Sequence, residues 1–313
     1  MIKNFICILL FFSQIIFAQD VHFSQFSSAK AITNPSLMHN QINDYEVHFQ
    51  RRSQWSSVSN PYNTFLLSFN AKKIYKNTSV GAALLNDEAG DSYFSTDGIS
   101  LLLSRSLNLL NNTFDIGMQT SIIHRSYNSD NLIFIDYEPT ELQKYSFFDL
   151  GLGISTNKII NNSSSLLVGL SAYHLNRPRQ SFYSNNKVFL LPKYILHTTY
   201  YERINAKITI SPTLYYSTTN SDKETIIGTG VIYNFNDKMK LNSGFFARIN
   251  DAIFFTLGIQ KDNLQAVISY DINTSSLVNA SNSQGGFEIA LTYGWNITKE
   301  TIKDNLLFCP KYL

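Results

Sequence analysis

Cysteine and charge are both scarce in this sequence. Its 313 residues include two cysteines, and 15% of the residues are charged, whereas soluble domains usually carry about 25%. Cys7 lies in the first apolar stretch, so removal of a leader would leave Cys309 alone and exclude an internal disulfide or a cysteine metal cluster. The near balance of 25 basic and 23 acidic residues gives no reason to expect a nucleic-acid partner.

Long apolar runs are also missing, except for one at the N-terminus. Because residues 5–17 form the only sustained apolar run, we expect no membrane-spanning helix in the body of the chain. Lys3 precedes this run and the small residue Ala18 follows it, a pattern that predicts an export signal peptide over residues 1–18. The alternative is a buried N-terminal helix, although the run is not amphipathic.

Aromatic and small polar residues are abundant and alternate along the chain. The sequence has 18 Tyr and 23 Phe, and both types are enriched in strands. In FDLGLGIS, residues 148–155, every second residue is apolar and the residues between are Asp, Gly or Ser. This period of two predicts a strand with one apolar and one polar face. The same pattern recurs at 114–122, 253–260 and 287–296.

Fourteen candidate strands follow one another along the chain. Most are about 8–11 residues long, which suits a tilted membrane-spanning strand, and an even number suits a closed bacterial barrel. The predicted strands are 46–55, 63–70, 79–85, 97–106, 113–124, 146–155, 165–174, 194–203, 206–216, 225–234, 239–248, 252–260, 264–271 and 286–296.

The connections between these strands differ in length in a regular way. The gaps after strands five, seven and thirteen are long, and those after strands eight, ten and twelve are short. An outer-membrane barrel with periplasmic termini alternates short turns with longer loops, whereas a soluble β-sandwich has no cause to sort its loops in this way. The sequence therefore predicts an all-β protein, a transmembrane antiparallel β-barrel of about 14 strands.

Two flanking segments lie outside the predicted strands. We expect a signal peptide at 1–18, an N-terminal periplasmic or luminal segment at 19–45, the outer-membrane β-barrel at 46–296 and a periplasmic C-terminal tail at 297–313. The segment 19–45 lacks clear periodicity, and its size suits a plug inside the lumen of a barrel.

Several motifs occur along the chain in a fixed order. They are QDVHFSQF, NPSL, RRSQW, LLNDEAGD, STDGISL, GGFEIALTYGW and a terminal CPKYL. On these motifs the sequence resembles the PorP/SprF family of type IX secretion system outer-membrane proteins, over essentially the whole mature chain. It departs from the family pattern at Val21, where proline is usual, and at Glu88.

The resemblance implies a place in the outer membrane of a Bacteroidota cell, in contact with outer-membrane lipid. It further implies work with other type IX secretion components in protein secretion and gliding motility. The barrel would bind an exported or surface-anchored protein, through an adhesin-type C-terminal domain, and help its secretion or attachment. Two alternatives stay open: a passive porin or small-molecule transporter, and a lipid-active barrel enzyme.

No residue pattern favours catalysis, a metal or a cofactor. The six histidines show no recognisable spacing to a nucleophile, and the acidic residues of NDEAGDSYFSTDG do not reproduce an EF-hand loop. We therefore expect a protein that is not an enzyme. His48, His124 and His174 are predicted near strand ends, where such side chains suit the membrane interface.

The candidate site is a partner-binding or structural rim of six residues: Arg51, Arg52, Trp55, Asp87, Glu88 and Asp91. Adjacent residues of a strand face opposite sides. The arginines are therefore either interfacial anchors, or one of them points inward and holds the plug segment or the acidic group by charge-assisted hydrogen bonds. The carboxylates are expected at the outer rim, where they hold either these arginines or a visiting partner.

The two longest outer loops carry opposite charges. Acidic residues concentrate in the loop at 125–145, and basic residues concentrate in the loop at 176–193. Either the two loops pair over the barrel mouth, or they form a docking surface for a protein partner. The expected apolar anchors of that surface are Tyr137, Phe182, Tyr183 and Phe189.

Overall fold

Fourteen antiparallel strands close into one barrel in the computed structural model. The strands are β1 (Tyr45–Gln54), β2 (Tyr62–Tyr75), β3 (Thr78–Ala89), β4 (Phe94–Leu109), β5 (Asn112–Ser126), β6 (Lys144–Ile159), β7 (Ser164–Tyr173), β8 (Lys193–Arg203), β9 (Ile208–Thr218), β10 (Lys223–Asn236), β11 (Met239–Arg248), β12 (Ala252–Lys261), β13 (Leu264–Asn273) and β14 (Gln284–Trp295). Each strand pairs with its neighbours in sequence, and β1 pairs with β14. The predicted fold class and strand number are confirmed.

The structure describes most of the chain, with gaps in the loops and at both ends. The described residues are 21–54, 60–90, 94–109, 112–128, 144–183, 188–220, 222–275 and 283–297. The predicted signal peptide and residues 298–313 of the predicted tail lie outside them.

Several strands are longer than the apolar pattern predicts. β3 continues past Leu85 to Ala89, and β4 begins at Phe94. In this extension polar side chains pair across the strands, and Asn86 donates a hydrogen bond to Asp97 at 2.7 Å. Cross-strand polar pairs stabilise a sheet without any apolar signal, so the sequence pattern ends β3 too early and begins β4 too late.

The two ends of the barrel differ in their connections. At one end, which we name the turn end, the connections 76–77, 237–238 and 262–263 are short, and the barrel both begins and finishes there. The opposite end, the loop end, has the connections 127–143 and 174–192. Since the termini of such barrels are periplasmic, the loop end faces the cell exterior.

Side chains alternate between the outer face and the lumen. The outward residues Leu84, Ile99 and Ile122 lie side by side on β3, β4 and β5 and are at least half exposed. Hydrocarbon covers such an apolar band in a membrane. Inward residues are small or polar, and Ser100 and Ser121 hydrogen-bond at 2.8 Å inside the wall. The alternation in the sequence thus separates a lipid face from a luminal face.

An aromatic cluster lies at the turn end on the outer face. The rings of Tyr45 and Trp295 stack at 5.5 Å where β1 meets β14, and Phe69 of β2 lies 6.3 Å from each of them. Aromatic girdles mark the membrane–water boundaries of outer-membrane barrels, so this cluster lies at the periplasmic boundary.

Residues 21–44 run through the lumen from the loop end to the turn end, and we name them the luminal segment. They include the short helix α1 (Lys30–Thr33) and a 3-10 helix (Pro35–His39). Across the described residues, no helix is both long and apolar enough to span a bilayer. The 3-10 helix lies against β2, β3, β4, β5 and β6.

Two apolar clusters fix the luminal segment to opposite sides of the wall. On one side, Phe23 and Met38 pack with apolar side chains of β2, β3 and β4. On the other side, Phe26 packs among side chains of β7, β8, β9, β10 and β12, and its ring lies 4.6 Å from that of Tyr215. Burial of each such side chain contributes about 1.5–3 kcal/mol. The segment therefore bridges the lumen rather than lining one wall.

Candidate functional site

The two adjacent arginines of the predicted rim face opposite sides of the wall. Arg51 points outward, is exposed, and donates to Asn63 Oδ1 at 3.2 Å. Arg52 points into the lumen and is 1% exposed. Trp55 and Asp91 lie outside the described residues.

The carboxylates of the predicted rim also divide between the two faces. Asp87 lies on the luminal face and accepts a hydrogen bond from Thr64 Oγ1 at 2.6 Å. Glu88 faces outward at the loop end, where the register pairs it with Asn63. The acidic partners of Arg52 come instead from β13 and β14, at the other end of the sequence.

Arg52 belongs to a buried ion network at the loop end of the lumen. Its guanidinium contacts Glu288, which lies directly opposite in the register of β1 and β14, and Asp271 at 3.0 Å. It also donates to Ser24 Oγ of the luminal segment at 2.6 Å. Arg248 reaches the same hydroxyl at 2.6 Å and Asp271 at 3.3 Å. Two arginines from β1 and β11, four strands apart in the closed wall, thus meet on one residue of the luminal segment.

Glu288 is the centre of this network and is fully buried. Its carboxylate accepts hydrogen bonds from the backbone N–H of Ser24 at 2.6 Å and of Gln25 at 3.0 Å. Gln50 Nε2 donates to it at 3.1 Å. A buried carboxylate with this many donors is well compensated, and each charge-assisted bond is about twice as strong as a neutral one. Glu288 therefore anchors the backbone of the luminal segment to the wall.

Asn34 anchors the middle of the luminal segment to β6 and β7. Its Oδ1 accepts from the backbone N–H of Ser36 at 3.0 Å and so caps the 3-10 helix. Its Nδ2 donates to the carbonyls of Ile154 and Leu170, each at 3.2 Å. One side chain therefore both starts the helix and binds two strands.

Three glycines make room for this contact. A Cβ at Gly153 or Gly169 would lie closer than 3.0 Å to the side chain of Asn34, and a Cβ at Gly117 would lie closer than 3.0 Å to the backbone of Pro35 and Ser36. Real Cβ atoms do not approach other atoms so closely. The glycines on the polar face of these strands thus form a shallow bed for the NPS motif.

Replacing Asn34 with alanine is expected to loosen the luminal segment. The change removes a helix cap, worth about 1 kcal/mol, and two further hydrogen bonds, worth about 0.5–1.5 kcal/mol each. We expect faster proteolysis within residues 21–44 and a lower apparent melting temperature. Asn40→Ala is the matched control, because Asn40 caps the other end of the same helix through its backbone N–H. Equal behaviour of the two variants would contradict this assignment.

His39 lies at the turn end of the luminal segment, with Nδ1 3.0 Å from Ser79 Oγ. Burial lowers the pKa of this histidine below its ordinary value, while Asp115 raises it and Lys72 and Lys73 lower it. Burial prevails, so His39 is neutral at neutral pH.

Folding favours the neutral form of His39, and protonation of this histidine at low pH therefore destabilises the folded protein. Because its pKa is lower in the folded than in the unfolded protein, the stabilisation is fully present above about pH 6.5 and is lost as the pH falls below that value. We expect the drop in melting temperature between about pH 7.5 and 5.5 to be smaller in His39→Gln than in the wild type. An unchanged drop in the variant would refute this role.

The loop between β7 and β8 forms a small hairpin at the loop end. The backbones of Arg179 and Phe189 form an isolated antiparallel β-bridge. The backbone N–H of Gln180 donates a hydrogen bond to the carbonyl of Val188 at 2.9 Å. Arg179, Val188 and Phe189 are exposed. We name residues 178–183 and 188–190 the loop-end hairpin.

The predicted anchor Phe182 has a different role from the one expected. Its ring packs edge-on against Tyr127 at 4.9 Å and Tyr145 at 4.7 Å, so it fixes the hairpin to the wall instead of facing a partner. Tyr183 and Phe189 are exposed, as expected. Residues 129–143 of the acidic loop, which include Tyr137, lie outside the described residues.

Two histidines differ from the prediction. His174 directly follows β7, as expected near a strand end, but it is buried, with Nδ1 2.9 Å from Asp149 Oδ1. His48, expected near a strand end, is buried in the lumen and bonds to Gln50 and Thr292 at 3.0 and 2.8 Å. Within the described residues, no three or more His, Cys, Asp or Glu side chains form a group that could hold a metal ion.

The functional residues that the sequence did not single out are Ser24, Asn34, Arg248, Asp271 and Glu288. The three of them that lie on strands share one feature in the sequence. Each is a charged residue on a luminal face whose other residues are small or neutral. Glu288 is such a residue in the strand FEIALTYGW. That signal indicates an inward charge, but it does not identify its partner.

Solved structures with a similar fold are outer-membrane channels. The toluene transporter TodX of P. putida superposes with a TM-score of 0.50 and 10% identity over 86% of this chain and 94% of that one. The CymD monoaromatic hydrocarbon channel gives 0.50 and 9%, over 86% and 93%. At such low identity the likeness concerns the fold alone. Comparison with curated protein sequences finds no match.

The sequence profile of one family covers both the luminal segment and nearly all of the barrel. It is the profile described as "Type IX secretion system membrane protein PorP/SprF", and it matches residues 15–293. The family inferred from the order of motifs is thereby confirmed, and the barrel with its apolar outer band is an outer-membrane protein. This chain belongs to the PorP/SprF family of type IX secretion system membrane proteins.

Proposed function

We propose that this protein is a binding component of the type IX secretion machinery and not a conduit. In this role it binds an exported or surface-anchored protein through an adhesin-type C-terminal domain, and it helps the secretion or attachment of that protein. The family supports a place in the secretion system. The solved structures of similar fold are transport channels, and at 10% identity they support the barrel architecture alone.

The observation that carries the proposal is the occupied lumen. The luminal segment is held by apolar clusters on opposite sides and by the ion network around Glu288. A chain that crosses this barrel would have to displace all of these contacts at once. A protein partner therefore finds the barrel closed and must act at its surface.

The loop-end hairpin offers such a surface. Exposed Tyr183 and Phe189 supply apolar anchors, and exposed Arg179, together with Arg177 just before the hairpin, supplies positive charge. Aromatic residues and arginine are the residue types that dominate binding energy at protein interfaces. Because the Phe182 ring packs on Tyr127 and Tyr145, this side of the hairpin is already held against the wall before a partner binds. The surface suits a partner domain with an acidic, partly apolar face.

Deletion of the gene followed by complementation tests this function. We expect deletion to abolish surface display of at least one exported protein, measured by surface proteomics. Wild-type protein and the Ile204→Ser control, an exposed apolar change at the turn end, should restore display. Phe189→Ser combined with Arg179→Glu should not. Normal surface display of all exported proteins in the deletion strain would contradict the proposal.

The porin alternative makes a separate electrical prediction. A passive channel shows steady single-channel conductance in a planar bilayer, whereas a barrel closed by its luminal segment stays silent. We expect the purified wild type to be silent. Steady conductance would instead favour a small-molecule channel.

A further inference from the structure

Basic residues occur in every hairpin at the turn end of the barrel, which faces the periplasm. The exposed basic side chains in or beside these turns are Lys76, Arg105, Lys158, Lys207, Lys238 and Lys261. Lys238 and Lys261 each have an aspartate as a neighbour in the sequence, whereas no acidic residue lies within four positions of Lys76 or Arg105. Among the described residues, neither Lys76 nor Arg105 forms an ion pair. The protein therefore supplies no counter-charge for these two cations.

The register brings Lys76 and Arg105 together on the outer face, where β2 turns into β3 beside β4. Thr78 of β3 lies directly opposite Arg105 of β4, and Tyr75 of β2 lies opposite Thr78. Lys76 follows Tyr75, and its Nζ lies 5.1 Å from the centre of the Tyr75 ring. Directly opposed residues have Cβ atoms about 4.5–5.5 Å apart, so both cations and the Thr78 hydroxyl can reach one anion. We name Tyr75, Lys76, Thr78 and Arg105 the basic corner.

Arg105 lies on the lipid face of the wall. Along β4 it follows the exposed residues Leu101 and Leu103 at a spacing of two, whereas Ser104, between Leu103 and Arg105, is buried. The exposed side chain of Ile116 lies opposite Arg105 on β5. Lipid covers such apolar neighbours, so a soluble acidic protein would have to displace lipid to reach this guanidinium. The counter-charge of Arg105 is therefore expected to come from the lipid itself.

The register also places the basic corner beside the periplasmic boundary of the membrane. Val80 and Leu103 lie in the same register row as Tyr45 of the aromatic cluster. Thr78 and Arg105 form the next outward row towards the turn end. An arginine on the lipid face is costly at the bilayer midplane but costs little at the interface, where its long side chain reaches the headgroups. The basic corner therefore meets the headgroups of the periplasmic leaflet.

We propose that the basic corner binds an anionic glycerophospholipid of the periplasmic leaflet, with its phosphate between Arg105 and Lys76. The guanidinium, the ammonium group and the Thr78 hydroxyl donate hydrogen bonds to the phosphate oxygens, and those from the two cations are charge-assisted at both ends. The acyl chains lie over Val80 and Leu103. The ammonium group of a zwitterionic aminophospholipid would meet two like charges here, so the basic corner selects headgroups without a positive charge.

Native mass spectrometry of the full-length, delipidated protein tests this site. Phosphatidylglycerol and phosphatidylethanolamine with identical acyl chains are added separately at equal concentration. We expect the wild type to retain one phosphatidylglycerol about tenfold better than phosphatidylethanolamine, as two cations beside an anionic headgroup imply. Lys76→Gln combined with Arg105→Gln should bring this ratio close to one. Lys76→Gln alone, a change in an exposed turn that leaves β4 untouched, should lower it to about threefold.

Lys238→Gln combined with Lys261→Gln is the matched control, because it removes the same charge from two other exposed residues of the turn end. This control should keep the wild-type ratio. Three results would overturn the proposal. They are a wild-type ratio close to one, which would leave the cations to an acidic protein or to solvent, a preference that survives in the variants of the basic corner, and an equal loss in the control, which would reflect net charge alone.

Discussion

Replacing Glu288 with alanine is expected to release the N-terminal part of the luminal segment from the wall. The change leaves Arg52 buried beside one remaining carboxylate, and it removes the acceptor of the Ser24 and Gln25 backbone N–H groups. Removal of one partner of a buried ion pair typically costs about 3–5 kcal/mol. We expect a clearly lower melting temperature in detergent, proteolysis within residues 21–44, and conductance in planar bilayers.

A carboxylate elsewhere in the wall provides the control for this prediction. Glu202 of β8 accepts a hydrogen bond from Tyr200 and lies on the outer face, so Glu202→Ala removes a charge without touching the luminal segment. We expect this variant to show no conductance and to resist proteolysis within residues 21–44. A Glu288→Ala protein with unchanged melting temperature and no conductance would show that the ion network does not hold the segment.

The wall of this protein was predictable from its sequence because the membrane imposes a uniform requirement. Outward residues within the bilayer are mostly apolar, so a period of two is visible along several of the strands. The prediction failed where that requirement ends. Beyond Leu85 the strands continue through polar pairs such as Asn86 with Asp97, which carry no apolar period.

The site was less predictable because closure of the barrel joins the two ends of the sequence. The register of β1 and β14 places Arg52 opposite Glu288, and no local spacing connects residues so far apart. The sequence left open whether an inward arginine meets the plug segment or the acidic group of LLNDEAGD. In the structure Arg52 meets Ser24 of the luminal segment, and its acidic partners lie on other strands.

Three of the motifs on which the resemblance rests lie in or against the luminal segment. QDVHFSQF provides the apolar anchors Phe23 and Phe26 and, between them, the residues that bind Glu288. NPSL provides Asn34, and RRSQW provides Arg52. Motifs distant in sequence thus hold the luminal segment against the wall, QDVHFSQF and RRSQW at Glu288 and NPSL at β6 and β7.

Replacing Gly117 with alanine is expected to displace the 3-10 helix while the barrel itself stays intact. Among the described glycines, only Gly90 has a positive φ. Gly117 therefore has a strand backbone that alanine can also adopt. Alanine therefore acts only through its methyl group, which would lie closer than 3.0 Å to backbone atoms of Pro35 and Ser36. Backbone atoms cannot rotate away as a side chain does. Such overpacking costs about 1–3 kcal/mol.

Gly98→Ala on the neighbouring strand is the matched control. Its added methyl also points into the lumen, but the nearest side-chain atom, Leu85 Cβ, lies at an ordinary contact distance of 3.5 Å. Hydrogen exchange should therefore rise over the 3-10 helix (Pro35–His39) in Gly117→Ala and stay unchanged in Gly98→Ala, with the strand amides protected in both. If the two alanines behave alike, the glycine bed does not position the luminal segment, and the ion network and apolar clusters alone keep the lumen closed.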